Sequence, residues 1–311
     1  FFDAADRIMA LVEPGTYSPY GRTLFRVIDY LKSRASYPTE RVLEWTGKVT
    51  PDQLSTEVGR GTGDHGKPME YASEREKWYA ERCRVLLEAG DFQACITLAD
   101  EALGAFTQFH YDNDVWFRWR RALAEAALGD TQTAIQDIQS LLSRKKDWFI
   151  YHRIAQYQYE QGQLKDAWGN AINAALGPGD LEYKWELFLL MGMILRDQGE
   201  LDEARRHVLL AARIRQEHDW KIPQELASAI GELDVDMAAS VSAVDLQRAL
   251  NKMWLAVKQA DLPRGTGEVI KFVSDGRAGF IAGDDGKHYY FKVAWYKGPK
   301  EWLSEGLMVE F

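Results

Sequence analysis

Four glycines, Gly90, Gly129, Gly162 and Gly199, most constrain what this chain can fold into. Seven residues before each stands a small residue: Cys83, Ala122, Ala155 or Gly192. Five residues after each stands another: Cys95, Ala134, Ala167 or Ala204. The segment that holds them, about 71–234, reads as helical, with few prolines and no convincing strand. Each glycine therefore marks the end of one helix, and the flanking small residues mark where that helix crosses the next. Small residues on both sides of a crossing let antiparallel helices approach closely, as a helix-turn-helix hairpin requires. The glycines are 39, 33 and 37 residues apart, so the pattern predicts four hairpins in tandem.

The four pieces resemble the tetratricopeptide (TPR) family, although they lack its usual proline between repeats and are spaced more loosely than its 34 residues. The resemblance implies an α-solenoid whose inner groove is lined by the first helix of each repeat. A register set on the glycines turns Lys77, Ala80 and Arg84 inward in the first repeat, and Trp116, Trp119 and Leu123 in the second. Phe149, His152, Gln156 and Tyr159 follow in the third, then Glu186, Leu189, Met193 and Arg196. Aromatic anchors with a few cations suit an extended or helical peptide. Lys77, Arg84, Trp116, Trp119, Phe149, His152, Gln156, Tyr159 and Arg196 are therefore the expected contacts to a protein partner. The alternative use of the same aromatics is packing between repeats or against another segment of the chain. Cys83 and Cys95 fall on the two small-residue positions of the first hairpin, which places them side by side as packing residues, with a redox pair as the sharper alternative.

The last fifty residues change character. Gly267, Val269 and Phe272 on a first run, Gly279-Phe280-Ile281 on a second, Asp284-Asp285-Gly286 at a turn and Tyr289-Tyr290-Phe291 on a third predict a meander of short strands. Their order and spacing resemble a cold-shock domain, a small OB-fold barrel. The resemblance implies binding of single-stranded RNA or DNA through Lys271, Phe272, Arg277, Phe280, Tyr290 and Lys292, by stacking bases on rings and placing cations at phosphates. Lys271 stands where the family has Trp, Ala278 where it has Phe and Lys292 where it has His, so two stacking platforms are missing. At Glu310-Phe311 the family's fourth strand would be under way, which predicts a barrel incomplete at this end.

Bulk properties narrow the function. A net charge of −9 excludes wholesale coating of nucleic acid, so any such site must be local. From residue 263 onward seven Lys/Arg balance seven Asp/Glu. The longest apolar run, 187–195, is about half of what spans a bilayer, and no signal-peptide pattern opens the chain, so no membrane contact and a cytoplasmic location are expected. Two cysteines exclude a disulfide framework and fit a reducing compartment. The first residue is Phe1 rather than Met, so further residues are expected upstream.

Segments 3–12, 21–34 and 40–46 predict three helices, and 241–259 predicts one amphipathic helix with Leu246, Leu250, Met253, Trp254 and Val257 on one side. Such a helix suits the open end of a solenoid. The stretch from Gly61 to Lys67 resembles a phosphate-binding loop, but Pro68 follows where Ser or Thr must ligate magnesium, so a solvent loop is expected. Between helices, Asp112, Asn113 and Asp114 read as caps. No histidine or cysteine spacing fits a metal, and no catalytic nucleophile is recognisable.

The expected fold is thus mainly α: a TPR-like α-solenoid with a small C-terminal all-β, OB/cold-shock-like barrel. The expected divisions are 1–70 (helical extension and Gly-rich loop), 71–235 (repeats), 236–262 (capping helix and linker) and 263–311 (barrel). The expected function is a non-enzymatic adaptor that holds a protein in its groove and single-stranded nucleic acid, RNA foremost, on its barrel, without metal or small-molecule cofactor. A scaffold that binds protein only, with an inert barrel, is the alternative.

Overall fold

A computed structural model describes residues 1–34, 38–62, 66–260 and 264–311. The predicted linker at 261–263 and the centre of the predicted solvent loop, 63–65, lie outside the described residues. The chain divides into two compact units, Phe1–Arg248 and Ala249–Phe311.

The first unit is a TPR-like helical solenoid. It begins with α1 (Phe2–Leu11), α2 (Pro19–Lys32) and α3 (Thr39–Gly47), close to the predicted three. α2 starts at Ser18, whose Oγ accepts a hydrogen bond from the Tyr20 amide at 3.1 Å, with Pro19 in the first turn. Its Leu24, Val27, Ile28 and Leu31 are buried at helical spacing, in one core with Val42 and Trp45 of α3 and Trp78 of α4 (Glu74–Glu88). Between α3 and α4 the expected irregular loop is instead flanked by an antiparallel hairpin, β1 (Gly59–Thr62) paired with β2 (Pro68–Tyr71). All four residues of β1 are exposed, so no burial pattern marks this strand in the sequence.

The repeats follow as α4 with α5 (Phe92–Ala105), α6 (Asn113–Ala127) with α7 (Thr131–Leu141), α8 (Trp148–Glu160) with α9 (Leu164–Leu176), and α10 (Trp185–Asp197) with α11 (Leu201–Glu217). Each of the four glycines sits two residues beyond the first helix of its pair, at φ +79°, +100°, +73° and +86° in chain order. The residue after each glycine donates to a carbonyl five positions back: Asp91 to Leu86, Asp130 to Glu125, Gln163 to Gln158 and Glu200 to Leu195, at 2.8–3.0 Å. This is a Schellman stop, which needs a left-handed residue at the glycine position. The second helices of the first two pairs then start on Asp91 and Asp130, whose carboxylates accept from the Ala94 and Thr133 amides. The predicted small residues are all buried, and a Cβ on Gly192 would lie 2.6 Å from Val208 Cγ2 and 3.2 Å from the Ala204 carbonyl oxygen. α12 (Gln224–Glu232) and α13 (Ala243–Ala260) follow, the latter matching the predicted amphipathic helix with Leu246, Leu250 and Trp254 buried.

Buried charge ties the repeats together. The Glu76 carboxylate, near the start of α4, accepts from the His110 amide, His110 Nδ1 and Asn113 Nδ2, each at 2.8 Å. These contacts fix the α5–α6 connection, where Tyr111 and Asp112 both adopt the left-handed region at a cost of about 1–2 kcal/mol each. The predicted capping roles in this stretch are not the ones used: Asp112 pairs with Lys145 and Asp114 with Arg144, while Asn113 serves Glu76. Arg121 of α6 reaches Asp100 of α5 and Asp137 of α7. Burial opposes its charge, yet the two carboxylates outweigh it and raise the guanidinium pKa.

The second unit carries a four-stranded antiparallel sheet in the order β5–β4–β3–β6, from β3 (Thr266–Phe272), β4 (Ala278–Gly283), β5 (His288–Lys292) and β6 (Met308–Glu310). The fourth strand is therefore formed, with Gly265 and Phe311 extending its pairing through two backbone hydrogen bonds at 2.8 and 2.9 Å.

The crossing geometry makes a specific prediction. Gly192→Ala forces a methyl onto Val208 and should destabilise the chain by about 1–3 kcal/mol through overpacking. Gly162→Ala meets open space and should cost only the left-handed backbone, about 1–2 kcal/mol. Ala167→Leu should cost at least as much as Gly192→Ala. Urea unfolding of the three variants checks the ranking, and an unchanged midpoint for Ala167→Leu would contradict the close crossing.

Candidate functional site

On one face of the array, rings from two consecutive first helices come together. Phe149 of α8 stacks on Trp116 of α6 at 5.9 Å and 13°, and meets Trp119 edge-on at 5.5 Å. All three are half-buried, as are His152, Gln156 and Tyr159. Packing on one another and, for Trp119 and Phe149, on the core around Ile138, Ile150 and Ile154 covers most of each ring and leaves a minor part exposed. Further along, the Tyr159 hydroxyl donates to Asp197 at 2.7 Å, and Arg196 pairs with Asp197 and Glu232. Burial, followed by that carboxylate, pushes the Tyr159 pKa up to about 12. In the first repeat Lys77 is exposed, while Arg84 is paired with Glu81 and Glu88 of its own helix. The structure thus brings the predicted aromatics together on α6 and α8 and occupies Arg84 and Arg196 in ion pairs.

Trp148 was not among the expected residues. It stacks on His152 at 6.0 Å and meets Phe149 edge-on at 6.4 Å, enlarging the patch. Its indole lies over Gly179, where a Cβ would come within 2.7 Å of the ring, and the Lys184 ammonium is 5.7 Å from the ring centroid. Lys184 is buried and donates to the carbonyls of Gly177 (2.6 Å), Ala174 (3.4 Å) and Ala175 (3.5 Å). A cation there serves the carbonyls at the end of α9, of which Ala174's also accepts from the Gly177 amide. Gly177-Pro-Gly179 was the sequence signal for this close packing.

The sheet presents two unlike faces. Cross-strand pairing aligns Lys271 with Phe280 and Phe280 with Tyr290, so all three share one face, with Lys292 beside them opposite Ala278. The Phe280 and Tyr290 rings meet edge-on at 5.7 Å, and Tyr290 is 52% exposed. Trp295, also unforeseen, is 61% exposed with the Lys292 ammonium 5.4 Å from its ring. Phe272, by contrast, lies on the opposite face: it pairs with Gly279, packs edge-on against Phe291 at 6.0 Å, and shares that side with the buried Val269 and Ile281. The reason is a bulge between Val269 and Lys271, which shifts the register by one residue. Arg277 lies exposed in the β3–β4 turn, its amide bound to Asp275.

Among the described residues no cluster of His, Cys, Asp and Glu suits a metal ion, and no helix is long and apolar enough to cross a membrane.

The family described as "Domain of unknown function (DUF7017)" matches residues 115–250. Comparison with curated proteins gives no match. Among solved structures, the chain is similar to a MamA RS-1 double mutant, at 13% identity over 65% of this chain and 97% of that one, with a TM-score of 0.44. It is also similar to the APC/C hetero-tetramer Cut9–Hcn1, at 12% identity over 79% of this chain and 45% of that one, with a TM-score of 0.48. A putative kinesin light chain of Podosopora anserina with nearly identical TPR-like repeats matches at 14% identity over 60% and 97%, with a TM-score of 0.40. At such identities the likeness is one of fold alone.

Two histidines make stability depend on pH. Burial, then the neighbouring Arg153, lowers the pKa of His152 in the aromatic patch from 6.5 to about 4. Burial likewise lowers His207, on α11, to about 4, although its Nδ1 lies 2.7 Å from the Glu203 carbonyl oxygen. The unfolded chain takes up these protons near pH 6.5 and the folded chain only near 4, so the stability from each neutral imidazole is complete above about 6.5 and is lost as pH falls toward 4. Each should account for about 1–2 kcal/mol lost between pH 7.5 and 5, measured by urea unfolding. His152→Gln should make that loss smaller.

Proposed function

We propose that this chain is a non-enzymatic, cytoplasmic adaptor: its helical array holds a protein partner on the α6–α8 aromatic face, and its sheet binds single-stranded nucleic acid, RNA foremost. The observation that carries the first part is the cluster of Trp116, Trp119, Trp148 and Phe149, half-buried rings from two helices joined in one apolar surface. Aromatic anchors that lose their remaining water on binding dominate protein interfaces. Lys145, 5.3 Å from the Trp116 ring, is paired with Asp112 and Asp147, so the edge of the patch carries a matched ion pair.

The second part has its own support. Lys271, Phe280, Tyr290 and Lys292 lie on one sheet face, and an exposed ring beside cations matches how single strands are held without strict sequence preference. A cold-shock-like reading of the sheet belongs to this proposal. A scaffold that binds protein only, its sheet inert, is the competing reading, and binding measurements separate the two.

The chain should bind a short single-stranded RNA in the micromolar range, about −8 kcal/mol, by fluorescence anisotropy. Replacing Phe280 and Tyr290 together by Ala should weaken this by at least ~2 kcal/mol through lost stacking, and Lys292→Ala should flatten the salt dependence. Equal binding by the double variant would favour the protein-only scaffold. Trp119→Ala with Phe149→Ala should leave RNA binding intact and abolish co-purification of the protein partner from the native host.

A further inference from the structure

The crossing of α4 and α5 differs chemically from the other three. Where the later repeats place Ala122 and Ala134, Ala155 and Ala167, and Gly192 and Ala204 at these two positions, the first repeat places two thiols. Close packing alone needs nothing larger than a methyl group at these positions. Cys83 and Cys95 are both free and fully buried, with Sγ atoms 3.6 Å apart. Each sulfur also approaches the partner's backbone: Cys95 Sγ lies 3.4 Å from the Cys83 carbonyl oxygen and Cys83 Sγ 3.8 Å from that of Cys95. These reciprocal contacts mean that the two backbones run close beside each other, the arrangement a disulfide demands.

We propose that Cys83 and Cys95 form a reversible intramolecular disulfide, which makes the first hairpin of the array a redox modification site. Closing the bond brings the sulfurs together by about 1.5 Å, a change met by small rotations of both side chains within the crossing. A hydrogen bond from Cys83 holds the Cys95 thiol below its ordinary range, while the same contact and burial push Cys83 up. Cys95 is therefore the attacking sulfur. Arg120, whose buried Nη1 has no hydrogen-bond partner among the described residues, adds positive charge that favours the thiolate of both.

With a peroxide as oxidant, the Cys95 thiolate attacks one peroxide oxygen; the O–O bond breaks and the leaving hydroxide takes a proton to become water. The Cys83 sulfur, losing its proton, then attacks Cys95 sulfur and expels a second water. Two thiols and one peroxide give one disulfide and two waters. A small thiol reverses the process by two exchange steps and leaves as its own disulfide. Because neither sulfur is exposed, the reaction proceeds through transient opening of the hairpin and is slower than in the unfolded chain.

The test uses the full chain, freed of reductant and treated with hydrogen peroxide. It is then denatured, alkylated and weighed intact. The expected product has lost both alkylatable thiols and two hydrogens, stays monomeric, yields a linked peptide pair containing Cys83 and Cys95, and regains two thiols with dithiothreitol. Cys83→Ser and Cys95→Ser should each abolish the linked product. Both thiols remaining alkylatable after an exposure to peroxide during which the untreated native chain admits an alkylating reagent to both cysteines would overturn the proposal. Sulfonic acids or intermolecular dimers as the products would do so equally.

Discussion

The architecture of this chain depends on how closely paired helices cross. In each repeat a residue no larger than cysteine stands on the first helix and another on the second, and every one of them is buried, with the close approach explicit between Cys83 and Cys95 and between Gly192 and Ala204. The crossing fixes which side of the first helix is covered. Residues one position away from the crossing face, such as Phe117 and Ile154, complete the core, and the remaining stripe is left to carry Trp116, Trp119 and Phe149. A side chain too large at the crossing would push the helices apart, and the packing of the whole stripe on its neighbour would go with it. Fold and candidate surface thus follow from one steric condition repeated four times.

Between repeats the work falls to polar groups that are buried and matched. Glu76 holds two left-handed residues in the α5–α6 connection by giving three donors a single acceptor group. Lys184 does the converse at the end of α9, where one ammonium serves three carbonyls. Burial lowers the lysine's pKa, and those carbonyl acceptors replace part of the water its ammonium lost. The same side chain lies beside the Trp148 ring, so the connection that ends one repeat also positions an aromatic of the candidate surface. Removal of either charged group would leave several polar atoms unpaired, which is why such ties are local points of failure.

What was legible in the sequence, and what was not, follows from the range of each interaction. The glycines with their flanking small residues could be read because turn geometry and helix crossing both act within a dozen residues. The cysteines' proximity came from the same register, and so did the aromatic face. The β1–β2 hairpin was missed because Gly59 to Thr62 offers no apolar alternation, its strand being exposed throughout. The cold-shock resemblance set Lys271 and Phe272 on one face, but neighbours in a strand point to opposite faces, and after the bulge it is Lys271 that joins Phe280 while Phe272 turns to the other side. Ile270 is the inserted residue, exposed beside a core valine, and nothing local announces it. Trp148 and Trp295 escaped notice because their places are set by contacts outside the repeat and strand patterns, with Gly179 in one case and Lys292 in the other.

The two candidate surfaces differ in what they can accept. On the helices, Trp116 and Phe149 already stack face to face, so a ligand adds to the outside of a formed cluster. His152, neutral because it is buried, contributes a polar edge without charge at physiological pH. Side chains of irregular shape, such as those of a peptide, fit this surface better than a flat ring does. On the sheet, Phe280 and Tyr290 meet edge-on, so the two rings offer planes at a steep angle and cannot sandwich one base between them. Tyr290 is half-exposed, so under the proposed reading it would offer one stacking surface, with Lys271 and Lys292 on the same sheet face as the cations beside it. A chain with net charge −9 can recruit a polyanion only where its cations are gathered away from its carboxylates; on this sheet face Lys271 and Lys292 share the side with the exposed Glu268, aligned with Ala282, which limits any such recruitment.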